Sequence, residues 1–235
     1  MENRTKTILE EGVRYFIKTG RPVTSSGLYE LGDFGIKPAM IRWELNDLCE
    51  DGYFYQTHPS GGRYPSDKAY KFFVDSILEE QKEMETRESL RGGFSGFVEK
   101  FFQGERDVLI EGLAKHVHAL SVGYEPKKQW TSQSGLKSLF KALALEDYSD
   151  VLRVVSDFES LGEHLLGATE MWESYDSWPQ VFIGKSPITK SNCLSVVAHQ
   201  FETGEGNMFL FIIGPKRMDY EKSIGILKSL EAFME

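Results

Sequence analysis

Cysteine is scarce in this chain: there are two among 235 residues, Cys49 and Cys193. Two thiols cannot build a four-ligand structural zinc site alone, and a disulfide between them is not expected in a reducing compartment. Long apolar runs are also missing. None approaches the ~20 residues that span a bilayer, so no transmembrane helix and no membrane partner are expected. The opening MENRTKTILEEG is charged and lacks the apolar core of a signal peptide, which makes the cytoplasm the expected location. Positive charge is in deficit. The formal net charge is −9, which taken alone argues against nucleic acid. Residues 1–80 carry 10 Lys/Arg against 13 Asp/Glu, so bulk charge does not reverse that argument. Any DNA contact must come from a few well-placed cations with the acids turned away, and weak non-specific affinity is expected. No P-loop, Rossmann glycine pattern or nucleophile elbow occurs. No enzymatic activity, cofactor or metal is therefore expected.

What is present is the composition of an ordinary globular protein, 40% hydrophobic and 27% charged. The length suits one large domain or two small ones. Thr5 to Thr19 places Ile8, Leu9, Val13, Phe16 and Ile17 on one helical stripe, closed by Gly20-Arg21-Pro22. Ser25 suits the N-cap of a short second helix around Leu28 and Leu31. Asp33-Phe34-Gly35 reads as a turn. Pro38 then opens a third helix, which carries Ile41, Leu45 and Leu48 inward and closes at Gly52. Tyr53–Gln56 and Tyr64 onward read as two short strands joined by a loop holding Gly61, Gly62 and Arg63. This order of parts predicts a winged helix-turn-helix over residues 1–80. Asp67–Arg91 is helical and increasingly charged, and Arg91-Gly92-Gly93 breaks it, so 81–104 reads as a helical connector.

The remainder, 105–235, reads as α+β. Phe97–Phe102 and Val108–Leu120 are expected as helices, and Ser134–Ala144 and Tyr148–Leu166 as a helical pair. Val181–Ile183 is a short strand. Cys193–Phe201 and Asn207–Ile213 are strands joined by Thr203-Gly204-Glu205-Gly206, a hairpin signal. A final helix, Tyr220–Met234, turns Ile224, Leu227, Leu230 and Phe233 inward.

The third helix carries the candidate chemistry. With its apolar stripe buried, the opposite face offers Ala39, Met40, Arg42, Trp43 and Asn46, preceded by Lys37. A recognition helix reads base edges from its N-terminal turns. Arg42 suits a guanine or a phosphate, and Asn46 suits adenine. Ser25 and Ser26 offer hydroxyls and helix N-terminal N–H groups to a phosphate. Arg63, at the loop tip, can enter a minor groove or clamp a phosphate, and Gly61 and Gly62 allow close approach of the backbone. A second reading stays open: winged helices also serve as protein-docking modules, and Met40 and Trp43 suit an apolar partner as well as a base or sugar.

The same residues carry a family resemblance. Pro38-Ala39, Ile41-Arg42, Glu44, Gly52-Tyr53, Gln56, His58, Ser60, Gly62-Arg63, Pro65, Asp67, Tyr70 and Val74-Asp75 resemble, in register, the N-terminal motif of the HrcA family of bacterial heat-inducible transcription repressors. Gly20, Pro22-Val23, Ser25 and Leu28 match upstream. Ile213-Gly214-Pro215-Lys216-Arg217-Met218-Asp219-Tyr220 resembles the family's C-terminal motif. The resemblance implies a repressor of heat-shock and chaperone genes that binds an inverted-repeat DNA operator as a homodimer, with the GroEL chaperonin as a further partner. It adds His58, Ser60, Gly62, Arg63 and Tyr64 of the wing to the DNA-binding residues. It implies a winged helix followed by a GAF-like domain, here in reduced form.

Two departures qualify what the resemblance implies. The family's members are longer, and here Leu113–Ser121 runs through a short linker almost directly into Ser134–Glu159. The early GAF strands and the inserted dimerisation domain are expected to be absent or greatly shortened. An inverted repeat needs two recognition helices about one DNA turn apart, ~34 Å, so another dimer contact must supply that spacing. Phe94, Phe97, Phe101 and Phe102 are expected in the core of the reduced domain. On the reading face, Lys37, Met40, Trp43 and Ser26 differ from the family, which predicts a changed operator.

Other constellations are set aside. His116 and His118 are neighbours on a predicted helix and do not face one ion. Asp147, Asp150 and Asp157 read as a solvated helix face. Asp219 is expected to cap the last helix, with Arg217 and Tyr220 pinning the turn before it.

Overall fold

The computed structural model describes the chain except for residues 33, 59–60, 84–95, 97–99, 101–102, 144–146, 176–178, 205 and 235 and the side chains of 81–83 and 232–234. Ser60, the four-phenylalanine cluster, the Arg91-Gly92-Gly93 break and the Phe233 side chain lie outside these described residues. The chain divides into two compact units, Met1–Glu80 and Gln81–Glu235.

The first unit begins with α1 (Asn3–Thr19), whose Ile8, Leu9 and Val13 are fully buried. Its last turn ends at left-handed Gly20, whose N–H bonds the Phe16 carbonyl at 2.8 Å. In α2 (Ser25–Leu31) the cap differs from expectation: Thr24 is the N-cap, its Oγ1 accepting from the Gly27 N–H at 3.0 Å, and Ser25 is the first helical residue. Thr24 holds the extended backbone that a cap needs, whereas Ser25 has already entered the helix. Then comes α3 (Pro38–Glu50), with proline at its first position and Ile41, Leu45 and Leu48 fully buried. Each of these side chains contributes about 1.5–3 kcal/mol by leaving water. Gly52, at φ +76, supplies the left-handed residue after the helix. β1 (Phe54–Tyr55) and β2 (Tyr64–Pro65) pair antiparallel, Phe54 opposite Pro65 and Tyr55 opposite Tyr64. α4 (Asp67–Glu83) follows.

The second unit is built on five antiparallel strands in the order β4-β3-β7-β6-β5. α5 (Arg106–Val117) ends at left-handed His118, and β3 (Leu120–Glu125) follows at once. A 3₁₀ turn over Pro126–Lys128 leads to β4 (Trp130–Ser134). This hairpin corrects two expectations. Val108–Leu120 is not one helix, and the span expected to be a linker forms two strands of the sheet. α6 (Leu136–Ala142) follows. The expected long helix from Tyr148 is two, α7 (Tyr148–Glu159) and α8 (Leu161–Gly167), broken at Ser160; α9 (Thr169–Glu173) comes next. β5 (Gln180–Ile183), β6 (Leu194–Thr203), β7 (Gly206–Pro215) and α10 (Tyr220–Met234) complete the chain.

Strand alternation divides the sheet into two buried faces. Leu120, Val122, Val196, Ala198, Phe209 and Phe211 pack with Leu139, Val154, Leu165 and Trp172 from α6 to α9. On the other face, α5 packs on β3 and β4, and α10 packs on β6. There the Tyr220 hydroxyl donates to the Lys216 carbonyl at 2.6 Å and lies in hydrogen-bond contact with the Ser195 hydroxyl at 2.9 Å. Burial on both faces explains why β6 and β7 read as nearly continuous apolar runs rather than as alternation. The class is α+β. Among the described residues no helix is long and apolar enough to cross a membrane.

Asp157 corrects the solvated-face expectation. It is 3% exposed, and its carboxylate accepts the backbone N–H of Lys190 at 2.6 Å and of Ser191 at 2.9 Å. Asp147 is exposed and caps α7, accepting from the Ser149 N–H at 2.8 Å, which lowers its pKa. Asp219 caps α10 as expected, accepting from the Lys222 N–H at 3.0 Å.

Candidate nucleic-acid interface

α3 is held from behind by a buried charge. Glu44 is 9% exposed; its Oε1 takes the Arg4 guanidinium at 2.8 Å and its Oε2 accepts from Thr5 Oγ1 at 2.7 Å. A paired carboxylate in this position ties α3 to α1, because removing Arg4 would leave the Glu44 charge buried without its counter-ion. The C-terminal end is pinned by Lys68, whose ammonium donates to the Asp51 carbonyl at 2.7 Å and lies 4.2 Å from the Tyr53 ring centroid.

The face turned outward carries Ala39, Met40, Arg42, Trp43 and Asn46, all exposed, with exposed Lys37 just before the helix. Trp43 is 68% exposed and Met40 42%. Arg42 and Lys37 make no ion pair among the described residues. The cations sit in the first turns and the acids Asp47, Glu50 and Asp51 at the far end. Glu2, Glu44, Asp47 and Asp51 line an open cleft of about 640 Å³ beside the start of α1. The positive end of α3 is therefore the end that can approach a polyanion.

The loop between β1 and β2 differs from its expected form. Arg63 is not a free cation at a tip. It is 5% exposed, it exchanges two backbone hydrogen bonds of 2.8 Å with Val23, and its Nη2 donates to Asn46 Oδ1. The physical reason is the bridge to Val23, which lays Arg63 against the α2 entry and turns its side chain under α3. Gly62 is half-buried; a Cβ there would stand 2.5 Å from Pro22 Cβ. Its missing side chain serves this internal packing. Tyr64 is half-buried between Tyr55, stacked at 5.6 Å, and Phe16, edge-on at 5.8 Å. His58 is exposed, and its carbonyl accepts from the Gly61 N–H at 2.9 Å, closing the turn. Ser26 is exposed and Ser25 half-buried. Asn46 shares its carboxamide oxygen with Arg63, so the simple adenine pairing expected for it does not describe its state here.

The structure adds residues that sequence reasoning passed over. Tyr55 is 51% exposed. Exposed Gln56 donates to the Gly61 carbonyl at 3.0 Å and shapes the loop, and exposed Arg21 adjoins Pro22, against which Gly62 packs. Alternation along β1 could have found Tyr55, since Phe54 is buried. Nothing in the sequence brings Arg21 to the loop.

Comparison with known proteins bears on this arrangement. The model of the HrcA protein C terminal domain matches residues 73–224. The chain belongs to the HrcA family. A heat-inducible transcription repressor HrcA from Thermoanaerobacter sp. (strain X514) is 38% identical over 133 residues, 54% of this chain and 36% of that protein. The HrcA of Acetivibrio thermocellus is 28% identical over 171 residues, covering 72% of this chain and 47% of its own length. The chain thus spans between about a third and a half of these HrcA relatives. A crystal structure described as a hypothetical protein shares the fold, with a TM-score of 0.73 at 18% identity over 100% of this chain and 98% of its own.

Proposed function

We propose that residues 1–80 form a winged helix-turn-helix that binds double-stranded DNA, and that the chain is a cytoplasmic transcriptional repressor of heat-shock genes. One observation carries this reading: α3 is locked by Glu44, Arg4 and Thr5 with its cationic first turns and its Met40–Trp43 face open. In the proposal Arg42 and Lys37 meet base edges or phosphates, Trp43 and Met40 pack on bases or sugar, and exposed Ser26 and His58 flank the helix. Residues 81–104 connect to a reduced GAF-like regulatory and dimerisation domain, 105–235. An inverted-repeat operator requires a homodimer. HrcA membership extends the proposal to GroEL as a modulating partner.

The test is a gel shift at low salt, with a pool of randomised 30-base-pair duplexes followed by a genome-wide binding assay. Arg42→Ala is expected to lower affinity by about 1–3 kcal/mol if it contacts a base. Wild type and Arg42→Ala with equally negligible affinity would overturn the reading.

The exposed Met40 and Trp43 favour one other reading, a winged-helix adaptor that docks a protein. It predicts that Trp43→Ala abolishes a protein complex while DNA affinity stays absent throughout.

A further inference from the structure

We propose that Arg63 is a positioning residue for base readout: it does not reach DNA, and instead turns the Asn46 carboxamide so that Arg42 and Asn46 together present only hydrogen-bond donors. The inference rests on the DNA-binding reading above and specifies what that surface would recognise.

The argument begins with the chemistry of the two side chains. A guanidinium has five N–H donors and no acceptor. The Asn46 atom that faces Arg63 must therefore be the carbonyl oxygen, Oδ1, as found. The Nδ2 amino group is left as the free end of the amide. Asn46 lies four residues beyond Arg42, so the two are neighbours on the exposed side of α3. An arginine and an outward NH₂ make a donor-only pair. An asparagine that reads adenine bidentately needs its oxygen free to accept from N6 and its nitrogen free to donate to N7. Here Arg63 holds one of the oxygen's two lone pairs and so fixes the amide with its oxygen toward the guanidinium and its nitrogen as the unbonded end. The base edge that fits is all acceptor, and in the major groove that is guanine, with O6 and N7.

The surroundings of Arg63 show why it acts from beneath. Its backbone N–H and carbonyl are both bonded to Val23, and Gly62 before it is pressed on Pro22, so the chain just before β2 is tied to the α2 entry. At 5% exposure the guanidinium is already covered. Its Nε has no hydrogen-bond partner among the described residues. A buried cation with an unmet donor is costly. A residue kept only for stability would be better replaced by an apolar one of similar size. The single directional bond to Asn46 is what this arginine supplies and an apolar residue cannot.

The experiment selects a pool of randomised 30-base-pair duplexes with wild type, Arg63→Met, Asn46→Ala and the double variant, and sequences the bound fraction. A salt titration on one selected duplex follows for each protein. Wild type is expected to enrich guanine at one position. Arg63→Met and Asn46→Ala should each relax that position by about ten-fold in preference, and the double variant should add nothing further. The slope of log affinity against log salt should stay unchanged in Arg63→Met, because no phosphate contact is lost. A slope smaller by about 1, with affinity reduced equally for all sequences, would show that Arg63 touches a phosphate and would overturn the proposal. Additive losses in the double variant, or a uniform loss of affinity with a lowered melting temperature and intact guanine preference, would also overturn it. Should Arg63→Met fail to fold, Arg63→Lys keeps the charge but moves the donor, and the same relaxation is expected. Absence of any wild-type binding at low salt overturns the DNA-binding reading itself, and this proposal with it.

Discussion

Two tryptophans compare the two units. Trp172, on α9, is fully buried, 5.2 Å from the Phe211 ring and 5.9 Å from that of Phe182. Trp43, on α3, is 68% exposed. Both stand on helices of mixed polarity, and neither helix reveals from its own sequence which face a neighbour will cover. The difference lies in what each unit does with buried charge. In the second unit Asp157 and Glu125 close the structure on itself: Asp157 ties the Lys190–Ser191 loop to α7, and Glu125 takes Arg106 at 3.0 Å and Lys128 at 3.3 Å at the end of β3. In the first unit Arg4 and Thr5 hold Glu44 on the buried side of α3, Arg63 bonds Asn46, and Met40, Arg42 and Trp43 stay exposed. Buried charge therefore ties elements of the sheet unit to one another and, in the other unit, flanks a face that stays exposed.

The sharpest way to break this comparison is Trp172→Ala. It is expected to destabilise the second unit by about 3–5 kcal/mol, read by urea denaturation. A cost near zero would mean that the aromatic cluster is not the core. Next comes Asp157→Ala, which strips two backbone N–H groups of their acceptor. A loss of about 2 kcal/mol is expected, together with faster hydrogen exchange at Lys190 and Ser191. Unchanged exchange there would refute the tie.

A smaller effect is expected from Glu231→Gln. His199, fully buried on β6, places Nε2 3.5 Å from Glu231, and the imidazole beside it holds that carboxyl below its ordinary value. A depressed folded pKa stabilises above the unfolded value and loses that contribution as pH falls through the folded one. Wild type should therefore melt slightly above Glu231→Gln at neutral pH, and the gap should close as pH falls below the ordinary 4.5. A gap independent of pH would remove the ionic contribution. The smallest stability effect belongs to Trp43→Ala, within about 0.5 kcal/mol, because an exposed side chain has little packing to lose. If that substitution destabilised the first unit strongly, α3 would not be a presented face.

Much of the fold was legible where a pattern had one cause. The α3 stripe, Pro38 at its start and Gly52 at its end, and the Asp219 cap needed only local geometry. The β6–β7 pairing followed from two apolar runs, although residue 205 between them is outside the described residues. The β3–β4 hairpin was not legible. LSVGYE does alternate Leu120, Val122 and Tyr124 with Ser121, Gly123 and Glu125, but the run is only six residues and follows directly on a helical stretch, and WTSQS is an edge strand whose one large apolar residue is Trp130. Reading Val108–Leu120 as one helix also required overlooking that His118 turns left-handed, at φ 54, a conformation its neighbours do not announce. Asp157 was misread because an acid on an amphipathic helix is usually solvated; the N–H groups it binds lie 33 and 34 residues away. Arg63 was misread for the same kind of reason: its loop position suggested exposure, while the bridge to Val23, 40 residues earlier, buried it.

By itself the sequence determined the α3 stripe, the apolar runs of β6 and β7, the final helix, the family and the set of side chains available at α3, because these depend on spacing and residue type along a short stretch of chain. Only the tertiary structure decided which of those side chains are free. Exposure, and the direction in which Asn46 points its amide, depend on partners distant in sequence, and a distant partner leaves no mark on the local pattern.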